Sequence, residues 1–323
     1  MHNKSLNYLK VCLSRKCNFN CIYCHSCFKD DSLQDGDILN AEETAKLIDG
    51  FVRLGIEHMR IIGGEPLLRE DIFDFIYMVS SAKRIKQISL TTNGFYLKEK
   101  ALALRGAGLN RVSIYLSSLD ENKFKKITGV DGLAKVMEGL CAAQEAELAP
   151  IRINVFLVKG LNCEEVEDFA ALSVLYPIDV RFIEYLPGRK NPINFRNLYV
   201  PGYVVKNKIE FSFGPLIPDK TSPLEGPATY YRIKDAKGRI GFINLITEFL
   251  CVNCNSIVLL YDGKLLPCLY SSTFVDLKEP LRNYEFKVLA DKIKDCFMVK
   301  PQVNKDTQKQ HFKGYSPYME EWD

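Results

Sequence analysis

Cys17, Cys21 and Cys24 form a CxxxCxxC run, with Asn18, Phe19, Asn20, Ile22 and Tyr23 between them. Three thiolates at this spacing can hold three irons of a [4Fe-4S] cube and leave the fourth without a protein ligand. Most iron–sulfur electron carriers use four cysteines. An open iron is a place for a substrate or cofactor, so the run points to chemistry more than to electron storage. A structural zinc asks for four ligands, and Cys27, three residues past Cys24, could close either kind of site.

A second cysteine group lies downstream. Cys251 and Cys254 form a CxxC pair, and Cys268 follows after thirteen residues. Asp262-Gly263 between two apolar runs is a hairpin signal. Pairing Tyr261 with Lys264 sets Ile257 opposite Cys268 and returns Cys268 towards Cys254. Three thiolates converge again. The readings are a second [4Fe-4S] cluster with an open iron, or a zinc knuckle completed by His311 or Cys296. Cys12, Cys141, Cys163 and Cys296 read as small buried apolar residues. Eleven cysteines, odd in number and clustered, disfavour a secreted disulfide scaffold.

The elements that position these groups alternate. Strands are expected near residues 8–13, 58–62, 87–91, 111–116, 151–158 and 179–183, and helices near 41–54, 71–82, 98–107, 132–146 and 164–175. Asn40 followed by Glu43 forms a capping box for the first helix. Strand–helix alternation implies parallel strands joined by right-handed crossovers. The expected fold class is therefore α/β, a partial (βα)6 TIM-like barrel whose post-strand loops carry the chemistry. Prolines punctuate the chain after residue 186. Two regions follow: 1–186 as the barrel and 187–323 as a C-terminal Fe–S and substrate module.

The bulk numbers suit an ordinary globular enzyme. Of 323 residues, 43 are basic and 40 acidic, and +3 is too small a balance to argue for a nucleic-acid polymer. The N-terminus has no apolar stretch of signal-peptide length, and no run approaches the ~18 apolar residues that cross a bilayer. No membrane partner and a cytoplasmic location are expected. A homodimer is left open.

The set CxxxCxYC, then Gly63-Gly64-Glu65-Pro66 after the second strand, then Thr91-Thr92-Asn93-Gly94 after the third, resembles the radical S-adenosylmethionine (SAM) superfamily. The resemblance implies that Cys17, Cys21 and Cys24 hold a [4Fe-4S] cluster whose open iron chelates SAM. It also implies that Gly63, Gly64, Glu65, Tyr23, Asn93 and Ser117 face that cofactor. Tyr115 stands where a ribose-contacting serine is expected, and Leu186 where a methionine is. The two glycines would let backbone approach the amino acid end of SAM closely.

The second half resembles the GTP 3',8-cyclase family of molybdenum cofactor biosynthesis. Supporting stretches are Ile151-Arg-Ile-Asn154, Lys159-Gly-Leu-Asn162, Arg181-Phe-Ile-Glu-Tyr-Leu-Pro187, Gly238-Arg-Ile-Gly-Phe-Ile243, Cys251-x-x-Cys-Asn255 and Asp262-Gly-Lys-Leu-x-Pro-Cys-Leu269. By this resemblance Cys251, Cys254 and Cys268 hold a second [4Fe-4S] cluster that anchors a purine. Lys10, Arg60, Thr91, Arg152 and Asn255 would line the substrate.

The departures bear on substrate. The family has an arginine at the position of Lys10, a lysine at His58, and Arg-x-Arg where this chain reads Ser256-Ile257-Val258. Neither Ser256 nor Val258 can replace a bidentate guanidinium. At ~1.5–3 kcal/mol for each charged hydrogen bond, two missing clamps would weaken GTP binding on the order of a hundredfold. The family also has a Gly-Gly tail, and this chain ends Met319-Glu-Glu-Trp-Asp323. The expectation is a two-cluster radical SAM enzyme, fed by an external one-electron reductant. It would abstract hydrogen from a nucleotide-like or small heterocyclic molecule with fewer charges than GTP, leading to cyclisation, C–C bond formation or rearrangement. True GTP 3',8-cyclisation, peptide modification and a non-catalytic Fe–S protein are the alternatives.

Overall fold

The computed structural model describes residues 6–24, 35–82, 85–185, 198–219, 226–245, 254–269 and 271–312. Six strands follow one another in parallel: β1 (Tyr8–Ser14), β2 (His58–Gly63), β3 (Gln87–Thr92), β4 (Arg111–Tyr115), β5 (Ile151–Phe156) and β6 (Ile178–Ile183). Between and after them run α1 (Ala41–Arg53), α2 (Ile72–Ser81), α3 (Leu97–Ala107), α4 (Glu121–Thr128), α5 (Leu133–Glu145) and α6 (Val166–Leu175). Asn40 caps α1 through the expected reciprocal pair with Glu43. The chain has the expected α/β partial-barrel fold.

Alternation within each strand divides two environments. Leu9, Val11, Met59, Ile61, Ile88, Leu90, Val112, Ile114, Ile153, Val180 and Phe182 join the apolar core under the helices. Phe51, Phe75, Phe124 and Phe169, one each from α1, α2, α4 and α6, are fully buried there. Truncating any of them to alanine should cost ~3–5 kcal/mol. The intervening positions, including Lys10, Arg60, Thr91, Arg111, Arg152 and Arg181, occupy the other face. That face is concave. The Tyr8 ring on β1 interacts with Arg111 on β4, three strands away and ~14 Å off in a flat sheet.

The rest of the chain extends this sheet at both edges. It contributes α7 (Gly202–Phe213), β7 (Ile217–Asp219), β8 (Thr229–Arg232), β9 (Ile240–Ile243), β10 (Ser256–Leu259), β11 (Lys264–Leu266), β12 (Val275–Asp276), α8 (Lys278–Arg282) and α9 (Phe286–Phe312). The strand order is β12-β11-β10-β1-β2-β3-β4-β5-β6-β9-β8-β7. β10 lies parallel to β1 and β9 parallel to β6. The second region thus prolongs the barrel wall through these pairings, while the expected boundary near residue 187 lies outside the described residues.

Two local expectations change. α4 was read as loop after the fourth strand. It is short, and its amphipathic stripe of Phe124, Ile127 and Thr128 covers barely two turns. The β10–β11 hairpin pairs Val258 with Leu266 and Leu260 with Lys264, leaving three residues in the turn with Gly263 at φ +85°. A two-residue turn was expected. The extra residue shifts the ladder by one, so Leu266 stands opposite Val258, and Cys268 follows two residues past the end of β11.

Candidate active site

The loop after β1 carries Cys17, Cys21 and Cys24, and three neighbours hold it. The Gly64 and Glu65 amides donate to the Ser14 and Lys16 carbonyls, both at 2.8 Å. The Asn20 and Ile22 amides donate to carbonyls at the end of α4 at 2.8 and 3.0 Å. Phe19 packs edge-on against Phe95 and Phe124. The glycines serve this docking. A Cβ at Gly63, whose φ is +147°, would lie 2.6 Å from the Ser14 carbonyl oxygen, and one at Gly64 would lie 2.3 Å from that of Lys16. Both were expected to let SAM approach; their packing also lets backbone approach backbone.

Glu65 lies at the centre of a second set of contacts. Its carboxylate is fully buried and accepts from the Leu67 amide (2.9 Å), the Thr92 hydroxyl (2.7 Å) and the Asn93 amide (2.7 Å). Burial pushes its carboxyl up despite these donors. The group ties the loop after β2 to the loop after β3. Asn93 continues the chain: its Nδ2 donates to Asn18 Oδ1 at 2.8 Å and approaches Cys17 Sγ at 3.9 Å, while its Oδ1 accepts from the Phe95 amide. Both side chains, expected to face SAM, hold the loop framework, and Asn93 also reaches the Cys17 sulfur.

The three thiols interact electrostatically with one another. Burial raises Cys17, and burial raises Cys21 to about 12. Among the described residues no three His, Cys, Asp or Glu side chains converge on one point as the ligands of a single ion would. Beside the thiols, Tyr23 donates to or accepts from Ser117 Oγ at 2.6 Å. Its ring packs 4.8 Å from Phe156, which stacks on Tyr115 at 5.5 Å. Ser118 is taken up by the buried Glu165. Leu186 lies outside the described residues.

Below this mouth the concave face is cationic. Arg60, Arg111, Arg152 and Arg181 feel one another's charge. Burial and Arg152 lower Arg111 to about 10; burial, partly offset by Tyr230 and reinforced by Arg152 and Arg60, lowers Arg181 to about 10. Burial alone would raise Tyr8, but Arg60, Ser89 and Arg111 bring its phenol down to about 7. Arg152 is fully buried and shares Asp179 with Arg239, at 3.6 and 2.7 Å. Arg181 donates to Asn154 Oδ1 (2.8 Å) and Ser113 Oγ (3.2 Å). Arg60 Nε and Nη2 and Arg181 Nη1 are buried without a hydrogen-bond partner among the described residues. Arg111, Arg181 and Phe156 were not among the expected site residues, although strict alternation from Tyr115 would have found Arg111 and from Arg152 would have found Phe156.

Of the second cysteine group, Cys254 and Cys268 lie towards the opposite, N-terminal mouth. Cys254 precedes β10, and Asn255 Nδ2 donates to Asn7 Oδ1 at 2.7 Å. β1 runs seven residues between the two mouths, about 20 Å at ~3.3 Å per residue. The β1–β10 register sets Ser256 beside Tyr8 and Val258 beside Lys10. Burial would raise Cys254, but the ammonium groups of Lys300 and Lys10, with Ser256, bring it to about 7. Cys268 is buried. Cys251 lies outside the described residues.

A profile described as Radical SAM superfamily matches residues 11–172, and one described as Molybdenum Cofactor Synthesis C matches residues 178–306. The GTP 3',8-cyclase of Thermodesulfovibrio yellowstonii is 41% identical over 285 residues, 87% of each chain. That of Geobacter sulfurreducens is 35% identical over 299 residues, 93% of this chain and 91% of its own. The chain belongs to the radical SAM superfamily, in the family of the GTP 3',8-cyclases. Among solved structures, Streptococcus suis SuiB bound to S-adenosylmethionine superposes with a TM-score of 0.63 at 12% identity, covering 87% of this chain and 66% of its own. Native anSMEcpe with bound AdoMet gives 0.57 at 16% identity, covering 86% and 82%. At such identities these two speak for the fold alone.

Membership in the radical SAM superfamily implies a [4Fe-4S] cluster and SAM. The donor set fits: three thiols on one clamped loop, with Asn93 and the Phe19 amide (3.4 Å) directed at Cys17 sulfur, the kind of contact that tunes such clusters. Among the described residues no helix is long and apolar enough to cross a membrane.

Proposed function

We propose that this radical SAM enzyme is a GTP 3',8-cyclase, with Cys17, Cys21 and Cys24 holding the SAM-binding cluster and Cys251, Cys254 and Cys268 a second [4Fe-4S] cluster. When bound, the first cluster and SAM supply, with one electron from an external reductant, a 5'-deoxyadenosyl radical that removes a substrate hydrogen. The chain's own residues do the rest. Tyr23, Phe156 and Tyr115 form an aromatic wall at the SAM mouth, and the Glu65–Asn93 framework keeps the loops in place and water out.

The observation that carries the substrate is the guanidinium-rich lumen. Arg60 and Arg181 present buried donor nitrogens with no hydrogen-bond partner among the described residues, at a cost of ~1–3 kcal/mol each that an anion would remove. Arg111 and Arg181 add charge that offsets the absence of the family's arginines at Ser256 and Val258. The curated relatives also bear the cyclase name, and together these favour GTP over the less charged substrate first expected.

One observation keeps that second reading alive. Ser256 and Val258 stand on the lumen side, beside Tyr8 and Lys10, so this part of the wall has no clamp for a phosphate. Anaerobic reconstitution with reductant and SAM, followed by product analysis on GTP, GMP and guanosine, separates the two. Formation of 3',8-cyclo-GTP with 5'-deoxyadenosine is expected. Turnover of guanosine or GMP in preference to GTP would overturn the cyclase reading, and no 5'-deoxyadenosine on any of them would also count against it.

A further inference from the structure

α9 lays one face on the barrel through Leu289, Ile293, Cys296 and Lys300, spaced four, three and four residues apart. These four are 4%, 0%, 1% and 2% exposed. The first three are what such a stripe requires. The fourth is an ammonium at a position built for an apolar side chain, and lysine is almost never fully buried unless paired. Among the described residues no carboxylate lies within ion-pair distance of it. Its partner is sulfur: Lys300 Nζ stands 3.5 Å from Cys254 Sγ. Cys254 Sγ in turn lies 3.2 Å from Ser256 Oγ, and Lys10 adds its charge from β1.

We infer that Lys300 is a positioning residue of the N-terminal mouth, donating its ammonium hydrogen bond to the Cys254 thiolate and so favouring the reduced state of the group that Cys254 ligates. The inference rests on the second-cluster reading. A buried ammonium needs an anion to offset its desolvation, and a thiolate is the anion within reach. A thiolate bonded to iron still accepts hydrogen bonds, and hydrogen bonds and net charge at the sulfurs set the potential of such clusters. Reduction adds a negative charge next to a fixed positive one, so removing the ammonium must make reduction harder. The same charge stands beside Ser256 and Val258, where the wall lacks the family's guanidiniums.

The test is a spectroscopic redox titration of the reconstituted full chain, wild type against Lys300→Met and Lys300→Arg, with the first cluster marked by its response to SAM. Lys300→Met should lower the reduced fraction of the second cluster at a fixed potential at least about fivefold, leave the first cluster unmoved, and be reversed by Lys300→Arg. Loss of second-cluster iron in Lys300→Met that Lys300→Arg restores would also support the role. An unchanged reduced fraction in a fully loaded Lys300→Met enzyme would overturn it, as would a loading defect shared by both variants. Iron near four per wild-type chain would instead remove the second cluster itself, and the inference with it.

Discussion

Thr91 and Thr92 are neighbours on β3 that face opposite ways, which allows two isosteric substitutions to be set against each other. Thr92 is buried, gives its hydroxyl to Glu65 Oε1 at 2.7 Å and accepts from the Gly94 amide at 3.0 Å. Thr92→Val keeps the shape and removes both bonds. The bond to the carboxylate is worth ~1.5–3 kcal/mol and the neutral one ~0.5–1.5 kcal/mol. A loss of ~2–4 kcal/mol follows, large against the ~5–15 kcal/mol that holds a typical domain. Thr91, half-buried on the concave face, makes no side-chain hydrogen bond among the described residues, so Thr91→Val should stay within ~0.5 kcal/mol and act on substrate binding instead. Denaturant titration of both variants, read from the midpoints at constant slope, measures the difference. Equal midpoints for Thr92→Val and Thr91→Val would refute the idea that the Glu65–Thr92–Asn93 cross-link holds the site's loops together.

Arg181→Met removes a buried lumen guanidinium, and GTP affinity by calorimetry should fall at least about tenfold, the equivalent of one charged hydrogen bond; an unchanged Kd would count against the polyanion site. Gly64→Ala drives a methyl into the Lys16 carbonyl, 2.3 Å away, so the cysteine loop must lift. Iron incorporation should drop sharply, and full loading would disprove the backbone-docking role. Burial works against ionisation of Asp71, but the Arg69 guanidinium and the Ala41 amide outweigh it and hold its carboxyl below the ordinary 3.8. Such a depressed acid contributes stability that is present above pH 3.8 and lost as pH falls through its lower native value. The stability gap between wild type and Asp71→Asn should therefore be full at pH 6 and close below about pH 3.8. A gap that stays constant to pH 3 would refute the pairing.

The six strands and five of the intervening helices were legible because parallel strands buried under helices leave a plain alternation of apolar runs and amphipathic windows. α4 was not, since two turns hold too little periodicity to separate from a loop, although it is this helix that docks Asn20 and Ile22. The hairpin at Asp262-Gly263 was legible as a turn but not in register, because Gly263 serves equally in a two-residue or a three-residue connection. Glu65 and Asn93 were found by motif, but their hydrogen bonds to Thr92 and Asn18 were not: a motif names a residue and not every atom it faces. Lys300 was invisible, because a lysine in the stripe Leu289, Ile293, Cys296 looks like a solvated end of the helix until the fold closes over it.

The arginines explain why the lumen and the two cysteine groups belong to one device. Four guanidiniums share a buried space, with Asp179 already divided between Arg152 and Arg239, and burial together with the neighbouring charges lowers the proton affinity of Arg111 and Arg181. A fold selected for stability alone would fill that face with Val, Leu and Ile, as buried charges usually cost more than apolar replacements. An anion among the guanidiniums would relieve the mutual repulsion. It would lie between the cysteine loop at the tops of the strands and Cys254 at their feet, about 20 Å apart at ~3.3 Å per residue. On the proposed cyclase reading, the phosphates of the nucleotide would be that anion, set at mid-depth and away from the thiols at both ends.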